Sequence, residues 1–549
     1  MNLPILLILG LASILRLFDL SHLPISLFGD EVDVGYHAWS LITTGRDYLG
    51  HFLPSYIQSL AESRAPLLMY VTAPFMGLLG PSTFSVRLPA ALLGILGVYL
   101  IYLVSKKLFS SNKYIPLISA LILAITPWHI HYSRAAFEST LLLDLLLLGT
   151  YLFLSNKIGL SLISFALTFY TYSTANIFTP ILIGLLYIVF RPKIDLKKDY
   201  LRFLPAALLM LPITYQILFG QAAGRFRGIS IFGDQKTVDS VIISRTDPWI
   251  TNQKVDRVFT NKYEAYLRSF LRNYTGSFNK EFLFVTGDPY FRHSVGLVGE
   301  LLWPFVFFFL IGLASVIRNY DRTGKLLLFW LLLSPIPSSL TQGGINHATR
   351  LFIMIPPLCI LSAVGVEKSL HFISGFKFKR PLIVLGSLII LFSFGFYWNR
   401  YSSHYRFESA KYWHYGYEDI FTKLSKRLPT SGKLYINNTY EPSLIRFALF
   451  TKLPPADFQR MFVTDNPDSY KSELFDGFRF GDNIYFGQVK DFGSLSTLLA
   501  PGDIYLAVQG IEVPGDWDWS NAPPEGLTIL DKTVDVFGKP LFYLVSKSD

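Results

Sequence analysis

Eleven apolar runs, with Lys or Arg in every second connection between them, limit what this chain can fold into more than any single motif does. They cover about residues 3–20, 84–104, 114–132, 137–154, 158–176, 177–190, 201–219, 300–317, 324–341, 350–366 and 381–399. Several approach the roughly 20 residues that carry an α-helix across a bilayer. A soluble chain would hold roughly a quarter charged residues. Here 16% of 549 residues are charged, 51% are hydrophobic and mean hydropathy is +0.38. The expected fold is a polytopic α-helical membrane protein of about eleven transmembrane helices.

The basic residues fix its orientation. With the N-terminus in the cytoplasm, every cytoplasmic loop carries Lys or Arg, from Lys157 alone to the cluster Arg191, Lys193, Lys197, Lys198 and Arg202. That is the positive-inside pattern, and it favours an odd number of spans. The net charge of +10 therefore belongs to membrane topology and lipid headgroups, not to nucleic acid. Residues 1–20 lack a basic start and a small-residue cleavage site, so they read as a retained first helix. The single Cys359 rules out an internal disulfide and a cysteine-rich zinc site.

The outer face then receives the 21–83 loop, the 128–136 turn, the 220–299 loop, the 341–350 turn and the chain from 400 onward. Residues 31–44 and 66–79 are too short to span and suit helices lying in the interface plane. Two Asn-x-Thr sequons, at Asn273 and Asn437, also fall outside. After residue 400 the apolar runs shorten to strand length. Leu434–Asn437, Asn483–Val489, Ile504–Val508, Leu527–Val534 and Leu541–Ser546 are expected strands, with helices near 418–427 and 441–451. Residues 1–400 are thus expected to form a membrane module, and 401–549 a soluble α/β domain outside the membrane.

Phe28-Gly29-Asp30-Glu31-Val32-Asp33 places three carboxylates within four residues, directly after the first span. Acids beside a membrane segment are rare and usually functional; the alternative is a solvated acidic loop. Other outer segments also concentrate chemistry. Trp128 to Glu138 includes His129, His131, Arg134 and Glu138, either facing a shared cavity or capping the turn through an Arg134–Glu138 pair. Gly343 to Arg350 offers His347 and Arg350 as phosphate contacts, or an arginine snorkelling to headgroups. Gly287 to Ser294 is first a turn signal, within which Asp288, Arg292 and His293 are candidate acceptor or sugar contacts. Glu62-Ser63-Arg64-Ala65-Pro66 opens a helix with Pro in its first turn, beside which Arg64 suits a lipid-linked phosphate. Tyr172 lies at an outer span end, as a sugar contact or an ordinary interfacial tyrosine.

An acidic pair after the first span, an amphipathic first outer loop, a basic-X-Pro helix start and an Arg…acid turn together resemble the GT-C superfamily. Within it the chain looks most like the protein O-mannosyltransferase and lipid A aminoarabinose transferase branch, over roughly residues 1–400. The resemblance implies a glycosyltransferase of the plasma membrane that uses a sugar on a polyprenyl phosphate. Its acceptor would be a protein, a lipid or a glycan at the outer face. Asp30 matches the acid taken as catalytic, Glu31 its acidic neighbour, Arg64 the basic residue before the proline and Glu138 the second acid. Asp33 and Asn176 depart from the pattern, Asn176 standing where related sequences often carry Arg.

The chemistry needs a base for an acceptor hydroxyl and cations for a departing phosphate. Asp30 is the expected base, with Glu31 and Glu138 completing the catalytic set. Arg64, Arg350, His347 and Arg134 are the expected donor-phosphate contacts. No cofactor is called for, no metal ligands are assigned, and a divalent metal is left open. The rival readings are a transporter or flippase of lipid-linked sugars, which would show repeated halves, and a non-enzymatic scaffold.

Overall fold

The computed structural model describes residues 3–60, 63–193, 196–220, 228–246, 253–429, 432–462, 469–513, 515 and 518–548. Its first helices are α1 (Leu3–Leu17), α2 (Gly29–Thr44), α3 (Leu67–Leu79), α4 (Thr83–Leu108) and α5 (Tyr114–Ile125). After them come α6 (Pro127–Tyr132), α7 (Glu138–Leu154), α8 (Ile158–Thr168), α9 (Ala175–Phe190) and α10 (Leu196–Leu218). Further helices at Phe305–Asn319, Arg322–Leu333, Ile355–Ser374 and Lys379–Asn399 mean that each expected span contains helix. Among the described residues, four helical stretches are long and apolar enough to cross a bilayer: Thr83–Leu108, Tyr200–Leu218, Ala348–Ser374 and Lys379–Glu408. Others, such as α1, α8 and α9, are apolar but shorter.

The chain divides into two compact units, and not by a single cut at 400. One gathers Met1–Phe18, Ser55–Leu68 and Ala90–Tyr405; the other gathers Asp19–Pro54, Met69–Pro89 and Arg406–Asp549. In the first unit, helix packing is closest where Phe305–Asn319 meets Ile355–Ser374. A Cβ on Gly312 would collide with the Leu361 carbonyl, and one on Gly365 with the Phe308 carbonyl. Glycine lets the two backbones approach, which is how helices associate where lipid removes the hydrophobic drive.

The second unit is built on a seven-stranded sheet. Two tiny strands precede it in the chain, β1 (Ile57–Gln58) and β2 (Ser63–Arg64), both in the first unit. The sheet uses β3 (Leu434–Asn437), β4 (Ser469–Lys471), β5 (Phe475–Phe480), β6 (Ile484–Val489), β7 (Ile504–Val508), β8 (Leu527–Val534) and β9 (Pro540–Lys547). Their order is β4-β5-β6-β3-β7-β9-β8, with β3 parallel to both neighbours and all other pairs antiparallel. β3 is buried along its length, as a central parallel strand must be.

Helix α2 belongs to this unit because its side chains are spent there. Tyr36 donates to the Leu453 carbonyl at 2.9 Å, and Gln459 donates to Ser40, Thr44 and the Asp47 carbonyl. The expected division at 400 missed this because hydropathy reports where a segment lies in sequence, not what its aromatic face packs on. Both sequon asparagines are buried: Asn273 donates to the Thr341 carbonyl at 3.0 Å, and Asn437 accepts from Thr439. In this fold they are internal hydrogen-bonding groups rather than exposed modification sites.

Candidate active site

The three acids of the opening stretch meet different fates in the second unit. All lie in the first turns of α2, where negative charge suits the exposed N–H groups. Glu31 is fully buried and held by Arg87, with Nε to Oε1 at 2.9 Å and Nη2 to Oε2 at 3.0 Å. The same guanidinium donates to the carbonyls of Leu20, Pro24 and Ser26, and lies over the Trp413 ring. Asp33 accepts from the Tyr48 hydroxyl at 3.0 Å, and Tyr48 stacks on His37. Asp33 thereby acquires the structural role that the family pattern left open. Asp30 alone remains half-buried.

Sequence reading missed the basic cluster near Asp30. A Cβ added to Gly29 would lie 3.1 Å from Arg446 Nη2. Arg446 is buried, donates to His414 Nδ1 at 2.7 Å and lies 3.5 Å from Glu441. His414, Glu441 and Arg446 stand more than 380 positions after Asp30 by their residue numbers, so no local pattern could have linked them.

The first unit sorts the remaining candidates into two cavities and one clamp. Arg64, Glu138, Tyr172 and Arg350 line a cavity of about 340 Å³ together with Asn176 and Thr341. Arg64 is placed by the β1–β2 pairing, opposite Ile57, and the Leu67 N–H donates to the Tyr170 carbonyl. Glu138 is the first residue of α7, and its Oε1 lies 3.5 Å from Arg64 Nη1. Arg350 is steadied by bonds to Thr341 Oγ1 and the Gln342 carbonyl. Among the described residues, two guanidinium groups and one carboxylate line this cavity, an excess of positive charge that suits an anion. Glu62, just before this segment, lies outside the described residues.

A second cavity of about 280 Å³ holds Asp288, Arg292, His293 and His347. Asp288 ties the loop down, accepting from the Tyr290 N–H at 2.8 Å and the Ala348 N–H at 2.9 Å. Burial raises its carboxyl to about 6, against those two stabilising bonds. Burial, and then Arg350, lowers His347 to about 3; burial and the His347 and Arg292 neighbours lower His293 well below its usual value. Both imidazoles are therefore neutral at neutral pH, each able to donate and to accept one hydrogen bond. His293 Nδ1 lies 3.1 Å from the Tyr132 hydroxyl and 3.3 Å from Thr349 Oγ1. His347, expected beside Arg64 and Arg350, lines this neutral cavity instead.

Arg134 lines neither cavity. It is fully buried and donates to the carbonyls of Leu15 and Phe18, clamping the C-terminal end of α1. His129 accepts from Arg16 at 2.7 Å, and His131 Nε2 lies 2.8 Å from the Arg292 carbonyl.

Residues 63–218 match the family described as dolichyl-phosphate-mannose-protein mannosyltransferase. "Putative mannosyltransferase YycA" of Bacillus subtilis (strain 168) is 23% identical over 423 residues, covering 60% of this chain and 61% of that protein. Among solved structures, apo ArnT from Cupriavidus metallidurans aligns over 98% of this chain and 97% of its own, with TM-score 0.55 and 13% identity. ArnT bound to undecaprenyl phosphate aligns over 99% and 97%, with TM-score 0.52 and 13% identity. The chain spans less than two thirds of the length of YycA. The helical bundle and the sheet share the fold of the two ArnT structures. The transport reading finds no support among these relatives.

Proposed function

We propose that this protein moves a sugar from a polyprenyl-phosphate donor to an acceptor hydroxyl on the outer face of the membrane, inverting the anomeric carbon. The acceptor oxygen attacks C1, the C1–O bond to phosphate breaks, and polyprenyl phosphate leaves. The acceptor proton passes to Asp30. Of its acidic stretch, Asp30 is the carboxylate that is only half-buried, which supports it as base and makes Glu31 its scaffold. Arg64 and Arg350 take the phosphate, where guanidinium forks match its oxygens. Glu138 orients Arg64. Tyr172 offers a hydroxyl to the sugar, while Asp288, Arg292 and His293 serve acceptor or sugar hydroxyls.

The observation that carries this reading is the single cavity lined by Arg64, Glu138 and Arg350, contributed by three segments that sequence reading had flagged separately. The test is turnover of a radiolabelled polyprenyl-phosphate sugar by the purified protein in lipid vesicles, followed as release of polyprenyl phosphate. Asp30→Asn should cut kcat by roughly 100-fold or more, as loss of a general base does. Full turnover by Asp30→Asn would remove Asp30 from the chemistry.

A further inference from the structure

A third cavity, of about 640 Å³, lies between α9 and the Arg322–Leu333 helix, both in the first unit. Its walls follow one face of each helix. On α9 the lining residues Ile181, Gly184 and Ile188 recur at three- and four-residue spacing and lead to Arg191. On the other helix Arg322, Lys325, Phe329 and Leu333 do the same. That spacing stacks residues on a single helix face. Both faces are apolar along the groove and cationic at one end.

The basic end is at the opposite end of α9 from the Arg64–Arg350 cavity, which is lined by Asn176 and Ile177 from the start of that helix. Sixteen residues of helix separate the two ends, about 24 Å at the usual rise. Among the described residues, none of Arg191, Arg322 and Lys325 forms an ion pair with a carboxylate. Lys325 instead lies 4.8 Å from the Tyr320 ring centroid. The adjacent Asp321 accepts from the Gly324 N–H at 2.7 Å and caps its helix.

We propose that this groove binds an anionic diacyl phospholipid, its phosphate among Arg191, Arg322 and Lys325 and an acyl chain along Gly184, Ile188 and Phe329. Basic pockets between membrane helices recognise anionic headgroups in this way. The charge selects the lipid: a zwitterionic headgroup would bring its own cation to three others. Gly184 leaves room for the chain, since a Cβ built there meets nothing within 4 Å. The site is independent of the transfer reaction and would stand if that reading failed.

The test uses the full chain reconstituted in nanodiscs of equimolar phosphatidylcholine and phosphatidylglycerol, with co-retained lipid identified by native mass spectrometry. The wild type should retain phosphatidylglycerol in preference to phosphatidylcholine. Each cation removed should weaken retention about fivefold, so Arg191→Gln, Arg322→Gln and Lys325→Gln combined should lower it by on the order of 100-fold. Gly184→Trp keeps every charge and should also expel the lipid. Lys377→Gln, at an exposed cation outside the groove, should change nothing. Undiminished phosphatidylglycerol in the triple variant, equal retention of both lipids, equal loss in Lys377→Gln, or a polyprenyl phosphate as the retained lipid would each overturn the proposal.

Discussion

Two arginine–glutamate pairs, one in each unit, show how the same chemistry serves opposite ends. Glu31 and Arg87 are both fully buried, with two contacts of 2.9 and 3.0 Å and three carbonyls taking the rest of the guanidinium. Nothing is left over for a ligand. Arg64 and Glu138 lie 3.5 Å apart, and both line a cavity. A buried pair that satisfies every donor locks the start of a helix; a pair on a cavity wall is within reach of whatever enters the cavity. Residue type and charge do not separate these cases. The cavity beside one of them does.

The largest effect expected from this contrast is on stability. Arg87→Met would strip the ligand from Glu31 and leave the Leu20, Pro24 and Ser26 carbonyls without this donor. Removing one partner of a buried pair typically costs about 3–5 kcal/mol. Arg64→Met should cost less than Arg87→Met, since Arg64 and Glu138 line a cavity and lie 3.5 Å apart rather than 2.9 Å. Denaturant unfolding of each variant in the same detergent measures both. Equal destabilisation would erase the distinction between lock and binding wall.

Activity should reverse the ranking among folded proteins. Arg64→Gln keeps a polar group but loses the charge proposed to meet the departing phosphate, and should lower kcat/KM by about 100-fold. Glu31→Gln keeps the shape and one acceptor oxygen for Arg87, so the fraction that folds should keep kcat within about threefold of wild type. Turnover normalised to folded protein decides this. A large kcat loss in Glu31→Gln would return that residue to the catalytic set.

The contrast also explains what was legible in the sequence. Apolar runs announced the helices, and β-rich runs between turn residues announced β3, β7 and β8 with the bounds the structure has. β4 is three residues long, and β5 has Gly477 where a strand signal would want a side chain, so both passed unnoticed. The acids of residues 30–33 stood out because charge is rare in such a chain. Arg87 did not, because one arginine near the start of a span looks like any snorkelling cation. Its bond to Glu31 bridges 56 positions. Arg64, Glu138 and Arg350 stood out because each lies in a distinctive local pattern; their shared cavity is a property of the fold.

The smallest effect concerns the neutral cavity and is read through pH. His347 is held near 3, so the unfolded chain takes up its proton near 6.5 while the folded chain refuses it. Its contribution to stability is fully present above the unfolded value and is lost as pH falls through the window from about 6.5 to about 3. Asp288 runs the other way. Its folded value is raised to about 6, so its contribution is complete below the ordinary carboxylate range and is lost as pH rises through 6. His293, also disfavoured as a cation by burial, adds to the His347 slope. His347→Gln cannot take up a proton, and should flatten the fall in unfolding midpoint between about pH 7 and about pH 4 while leaving the opposing Asp288 slope. A pH profile unchanged by His347→Gln would mean that His347 meets water and can bind its proton in the folded chain. The second cavity would then be cationic like the first, and a place for phosphate rather than for neutral hydroxyls.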